Sequence, residues 1–410
     1  MSFSFMHAAD LHLGCLFSGI DELPLDLQQR VIDASLNAFK KLINCCIELS
    51  VDFVIISGDI FETNRPTLRV QKVFVEQLKR LAEFQIDTFI VTGNHDAAVF
   101  DNLVFTMPDN LYIFPTDAVK IYERVFNNMP IKIAGISYAQ FEVEDLSIKF
   151  PQPDSEGFNI AILHCDVGGS DHRYSPVLLT DLEQKGYNYW ALGHVHTMKQ
   201  WINNSVIQYP GVLQGRHRAE NGEKGCFLVK VASDKSIDSR FIEFQDIIWR
   251  EVAIDLTETA PDMLVDMLLD VKEKNRSLGQ VGCLLSLTLK GATRCHNWLQ
   301  MSDESADLLL ELREGEERLD NFVWVTSIID RTNPVVDWND LRNQENFLSE
   351  VILFIEELEN SLTDQNAENK LHALSEATEI FTGVHGLKLE QKEILSKAKL
   401  LILQVLGEGE

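Results

Sequence analysis

Apolar residues follow two rhythms through the first 245 positions. Short apolar or alternating runs at 3–9, 52–59, 87–96, 131–138, 159–166, 189–196, 205–211 and 226–232 predict strands. Between the first three lie longer stretches, 27–49 and 67–84, with apolar residues at helical spacing. Val31, Ala34, Ala38, Leu42 and Cys45 form one such stripe. Strand–helix–strand occurring twice in succession predicts parallel early strands in an α/β domain. The later part of this region is strand-rich, which predicts a two-sheet α/β sandwich core instead of a doubly wound nucleotide sheet. Neither a dinucleotide-binding glycine fingerprint nor a P-loop is present.

The rhythm changes near 245–250. Helical patterns over about 260–275 and 302–314 alternate with strands at 283–293 and 322–329, predicting a smaller α/β domain. Beyond Asn333 and Pro334 the pattern is helical, with amphipathic runs at 346–362 and 389–406. Val351, Phe354, Ile355 and Leu358 mark the apolar face of the first run. The expected domains are therefore 1–245, 246–340 and a helical C-terminal region, 341–410.

The 410 residues are 45% hydrophobic and 24% charged, as in ordinary folded domains. Charge changes the picture more. The net charge is −27, of which 246–410 contribute −17, so a broad basic surface for coating nucleic acid is excluded. Seven cysteines form no CxxC pair and are too few for a disulfide scaffold. The N-terminus reads as mature protein, and no apolar run is long enough to span a membrane, so a cytoplasmic location is expected.

The chemistry gathers where predicted strands end. Asp10 and His12 follow the first strand, Asp59 the second, and Asn94, His95 and Asp96 the third. His164 closes a later strand, and His194 and His196 follow another. Strand ends at one edge of an α/β sheet are where ligand sites form. Carboxylate, imidazole and amide ligands without a thiolate set suit Mn²⁺, Fe²⁺ or Zn²⁺. Seven candidate ligands exceed what one tetrahedral ion needs; two ions sharing a carboxylate would use them, an arrangement suited to phosphate-ester hydrolysis.

The ordered motifs HAADLHLG, SGDIFE, TGNHD, LHCD and GHVH resemble those of the calcineurin-like metallophosphoesterases. YPGVLQGR at 209–216 and NGEKGCFLVKV at 221–231 are similar to the DNA-repair exonuclease branch, the SbcD-type and YhaO-like proteins. The resemblance covers about residues 3–235. It implies that Asp10, His12 and His196 hold one ion, that Asn94, His164 and His194 hold the second, and that Asp59 bridges them. Two divalent ions, Mn²⁺ foremost, would be the cofactors. His95 would face the substrate as the phosphate-contacting group or general acid, with Asp96 orienting its ring. One position departs: Glu62 stands where nuclease relatives show Asp or His, which suits it to supporting the ligands rather than acting on substrate.

Arg216, Arg218 and Lys224 form a local basic strip that would contact the phosphates of a DNA end, unless 215–224 is a solvated hairpin. His172 and Arg173, on the loop after the His164 strand, are further substrate-contact candidates. The expected function is a two-metal phosphodiesterase, a DNA-repair exonuclease. The resemblance also implies an SMC-like coiled-coil ATPase as partner and a homodimer; the C-terminal helices would either dock on that ATPase or, as apolar helix faces more often do, pack on the chain's own core. The alternatives are a phosphatase or nucleotide phosphodiesterase using the same site, and a non-catalytic scaffold subunit of a DNA-processing complex.

Overall fold

The structure, a computed structural model, describes residues 3–361 except 21–22, 98, 155, 169–172, 280 and 344–346, together with Lys399. His172, and the helix expected at 389–406 apart from Lys399, lie outside the described residues. In chain order the first elements are β1 (Phe3–Ala8), α1 (Leu25–Glu48), β2 (Phe53–Ser57), α2 (Leu68–Glu83), β3 (Asp87–Val91) and β4 (Leu111–Ile113). Next come β5 (Lys120–Phe126), β6 (Met129–Gly135), β7 (Phe158–His164), β8 (Asp166–Val167), β9 (Pro176–Val177), α3 (Leu179–Lys185) and β10 (Tyr189–Gly193). They are followed by β11 (Lys199–Ile202), β12 (Val206–Tyr209), β13 (Gly225–Val231), β14 (Ile237–Glu243) and β15 (Ile247–Asp255). The remainder comprises α4 (Leu264–Ser277), β16 (Gly282–Thr293), α5 (His296–Leu299), α6 (Ser302–Arg313), β17 (Val323–Pro334), α7 (Trp338–Arg342) and α8 (Phe347–Ser361).

Two six-stranded sheets form the expected sandwich, in the orders β14-β13-β1-β2-β3-β4 and β11-β12-β10-β7-β6-β5. Neighbours from β1 to β4 pair in parallel, as do β6, β7, β10 and β12, while antiparallel strands lie outside them. The two-residue period of each strand sorts its side chains. Phe3, Phe5, Phe53, Ile55, Ile160 and Tyr189 share the core that unites the sheets. Met6, Val54 and Ile56 pack with Phe39, Leu42 and Phe74 of α1 and α2. On the other sheet's outer face, Leu163, Trp190 and Leu192 pack with Leu182 of α3. Both faces of the central strands are therefore apolar, so functional side chains are confined to strand ends.

The chain divides into two compact units. One comprises 1–253, 265–288 and 306–329; the other comprises 254–264, 289–305 and 330–410. In the first unit, Leu27, Val31 and Ala34 of α1 share a core with Trp249, Leu284 and Phe322. That unit also buries Glu316, which pairs with Lys272 at 3.0 Å and Arg276 at 2.6 Å. In the second unit, α8 buries Ile352 and Ile355 but leaves Phe354 59% exposed, so the expected apolar face is split.

Candidate metal centre

The site begins with backbone geometry. Beyond their paired segments, the turns after β1 and β2 stay laced together: the Asp10 amide donates to Gly58 at 3.1 Å, His12 to Asp59 at 3.0 Å and Leu13 to Ile60 at 2.9 Å. Asp10, His12, Asp59 and His194 all have positive φ, at 49°, 42°, 49° and 105°. Asp and His tolerate this region better than most residues, but four such positions in one place mark strain held by the surrounding fold. Two glycines let the turns close up. A Cβ on Gly93 would sit 2.2 Å from Asp59 Oδ1, and one on Gly193 would sit 1.8 Å from the Ser57 carbonyl oxygen.

These turns bring the expected ligands into two overlapping clusters. One ligand atom each from Asp10, His12 and His196 lies within 4.8 Å of the others, and so do atoms of Asp10, Asp59 and His164. Asp59 Oδ2 is 3.8 Å from His12 Nε2 and 3.6 Å from His164 Nε2, between the clusters. Asn94 Oδ1 lies 3.1 Å from His164 Nε2. The His194 ring packs on the His164 ring at 5.2 Å between centroids, while its amide donates to both Asp10 oxygens.

A partner on the far side of the ring sets the His164 tautomer: Nδ1 donates to the Ser57 carbonyl at 2.9 Å. Its Nε2 then carries a lone pair that faces the oxygens of Asn94 and Asp59. His196 Nδ1 lies between Glu220 Oε1 at 2.7 Å and Arg216 Nη2 at 3.0 Å, and its Nε2 is 3.3 Å from Nε2 of His12. At His164, acceptors facing acceptors in a buried place call for a cation. Electrostatics points the same way. Burial lowers His12 to about 4 and His194 to about 3, and it lowers His164 as well, keeping these rings neutral. Burial and the Asp59 charge raise Asp10 well above the usual carboxylate range and Asp96 to about 7. Neutral imidazoles with crowded carboxylates and an amide oxygen fit divalent cations such as Mn²⁺, Fe²⁺ or Zn²⁺.

One residue behind the ligands, Glu220, escaped the sequence reading, and Glu62 stands behind them as that reading expected. Glu220, buried, backs His196, and Arg216 donates to it from its backbone amide at 2.8 Å and from Nη2 at 3.1 Å. On the other flank, His12 Nδ1 lies 3.0 Å from Glu62 Oε2 in poor alignment for a hydrogen bond, and Arg216 Nη1 donates to the same oxygen at 2.9 Å. Arg216 thus links two carboxylates that each stand behind an imidazole of one cluster. Burial alone would raise Glu220, but its bonds to His196 and Arg216 hold it well below the usual range. The four-residue spacing of Arg216 and Glu220 was the available signal.

Several expectations are corrected here. Asp96 does not orient the His95 ring. Its oxygens accept the amides of Gly93 at 2.7 Å, Ile60 at 2.5 Å and Phe61 at 3.4 Å, which braces the turn instead. The His95 ring is set by the Glu62 carbonyl, which accepts from Nδ1 at 3.2 Å, and the His95 amide donates to Asp59 Oδ1 at 3.0 Å. Arg216 is enclosed by Glu62 and Glu220 and is not offered to a phosphate. Arg218 pairs with Glu251, and Lys224 is buried. Arg173 pairs with Glu142 at 3.6 Å and lies over the Tyr174 ring. Between His95 and Phe141 opens a cleft of about 350 Å³, with Glu62, Asn64, Asn94 and Gln140 in its walls.

Candidate metal ligands raised from parallel strand ends onto a two-sheet sandwich suit a metallophosphoesterase, and the comparisons show that family. The calcineurin-like phosphoesterase family matches residues 3–198, and the chain belongs to it. That family works with a dinuclear metal centre. Among individual proteins, the chain is similar to the uncharacterized metallophosphoesterase YhaO of Bacillus subtilis (strain 168), with 32% identity over 340 residues, covering 80% of this chain and 82% of YhaO. It is also similar to the DNA double-strand break repair protein Mre11 of Methanococcus maripaludis, at 30% identity over 61% of this chain and 68% of that one. Mre11 of Methanocaldococcus jannaschii is 28% identical over 60% and 67%.

Proposed function

We propose that the chain is a metal-dependent phosphodiesterase that hydrolyses DNA ends, a repair exonuclease. The observation that carries this reading is the convergence of Asp10, His12, Asp59, Asn94, His164 and His196 ligand atoms beside a cleft that holds His95. Asp10, His12 and His196 would hold one ion, and Asn94, His164 and His194 the other, with Asp59 serving both. Bound there, the two ions, Mn²⁺ foremost, supply an activated water and hold the phosphoryl oxygens. The chain's own residues supply the rest. With Nδ1–H committed to the Glu62 carbonyl, His95 in its imidazolium form would carry at Nε2 the proton passed to the departing 3′ oxygen, leaving the ring neutral.

The DNA assignment draws on the Mre11 relatives. With Arg216, Arg218 and Lys224 engaged or buried, an SMC-like ATPase would supply most of the grip, docked through 341–410, with 246–340 as capping domain. A homodimer and a cytoplasmic location belong to the same reading. The small cleft favours a second reading, a phosphatase or nucleotide phosphodiesterase. Metal-replete protein is expected to hold two ions per chain and to release nucleotides from DNA ends in Mn²⁺. Asp59→Asn should lower that stoichiometry. Hydrolysis of small phosphate esters alone would transfer the assignment to the second reading, and inactivity on every ester would leave the scaffold.

A further inference from the structure

We propose that Phe141 is a stacking platform for an unpaired nucleobase, so that the substrate presents a flipped-out or frayed nucleotide beside the scissile phosphate. This rests on the phosphodiesterase reading and deepens it. Phe141 is 50% exposed, yet its setting is defined. Its ring meets Tyr174 edge-on at 5.5 Å and lies 6.4 Å from the His95 ring. Tyr174 in turn packs on His194 at 5.0 Å. The aromatic wall therefore runs continuously from the metal-ligating histidines to the open face of Phe141.

The loop bearing Phe141 is fastened on both sides. The Val143 amide donates to Arg173 at 2.9 Å, Ser175 donates back to Val143 at 3.0 Å, and Leu146 donates to Ser175 Oγ at 3.0 Å. Upstream, the Tyr138 amide donates to Thr92 at 3.2 Å, two residues before Asn94. A half-exposed aromatic ring on a braced loop is preorganised for a flat apolar partner. The cleft walls carry no lysine or arginine among the described residues, so they suit a neutral ring and not a second phosphate. The amides of Asn64 and Gln140 supply polar edges, and a cleft of about 350 Å³ accommodates one nucleotide unit, not a duplex. Stacking accepts any base, since each has a π face, so little sequence preference is expected. A base held in a duplex cannot reach the ring without unpairing.

The test compares a dithymidine phosphodiester with its counterpart lacking one base, using full-length protein in Mn²⁺. Wild type should favour the base-bearing compound by about 5- to 150-fold in kcat/KM, the range that single base–aromatic contacts give. Phe141→Ala should erase that preference by slowing the base-bearing compound alone, and Phe141→Tyr should retain it. Calorimetric binding of the corresponding phosphorothioates should show the same ratio without turnover. The binding arm therefore decides the stacking even if neither compound is cut, a result that removes only the phosphodiesterase reading. A free thymidine nucleotide binding as tightly as the dinucleotide would support the stacking and assign the base to a small substrate. Equal handling of the two compounds by wild type, or equal loss on both in Phe141→Ala, would overturn the proposal.

Discussion

His95 and His164 stand in adjoining turns and are held in opposite ways. The His95 ring is tied at Nδ1 to a carbonyl and is half-buried beside the cleft; His164 is fully enclosed, its Nε2 aimed at Asn94 and Asp59. Removing each should therefore produce a different loss. In His95→Asn the backbone amide still donates to Asp59, so metal content should match wild type while kcat falls by about 10²–10⁴, the usual worth of acid–base assistance. His164→Ala should lose metal and rate together. The measurements are kcat on a phosphodiester in excess Mn²⁺ and metal content of the same samples. Full kcat in His95→Asn, or a loss that follows missing metal, would show that this histidine has no part in proton transfer. Residue types at strand ends made legible in the sequence the side chains that the fold gathers at the candidate site. The role of Asp96 was not, because a carboxylate next to a histidine gives no sign of turning to three backbone amides.

At the scale of elements, the central parallel strands β1, β2, β3, β7 and β10 were readable because each is buried on both faces and leads into a polar motif. Edge strands were not: β5 alternates with charged and exposed residues, and β4 spans only three residues, so neither carries a buried stripe. The turn at 215–224 shows the same limit. Its sequence reads as a basic strip, yet folding puts Glu220 behind His196 and encloses Arg216 between two carboxylates. Carboxylates behind metal-ligating imidazoles fix ring orientation and raise basicity, and losing them costs about 10–100-fold in metal affinity. Glu220→Gln and Arg216→Gln should each weaken the ion near His12 and His196 by that order. The ion near His164, whose ring is backed by the Ser57 carbonyl, should be little affected. Repeating each substitution in a His164→Ala and in a His196→Ala background, with Mn²⁺ binding as readout, isolates the two ions. An equal effect in both backgrounds would refute the assignment of this clamp to one ion.

For the whole molecule, charge limits how DNA could be held under the proposed reading. A chain of net charge −27 in which Arg216 and Arg218 already pair with its own carboxylates has little left there to neutralise phosphates. Arg216 is 13% exposed and faces Glu62 and Glu220, so freeing it for a phosphate would leave both carboxylates without their common partner. The energetic balance favours leaving it in place, since breaking such enclosed pairs costs more than a solvated phosphate contact returns. The isolated chain should therefore bind DNA weakly and with shallow salt dependence. Each neutralised phosphate contributes about −0.9 to the slope of log affinity against log salt, and about one to three such contacts are expected. Anisotropy titrations of a labelled duplex end at several salt concentrations measure this slope. A value corresponding to about eight phosphates would require a basic surface assembled from residues distant in sequence. A shallow slope that steepens when a DNA-binding ATPase is added would locate the grip in the partner and leave the acidic chain to supply the cut.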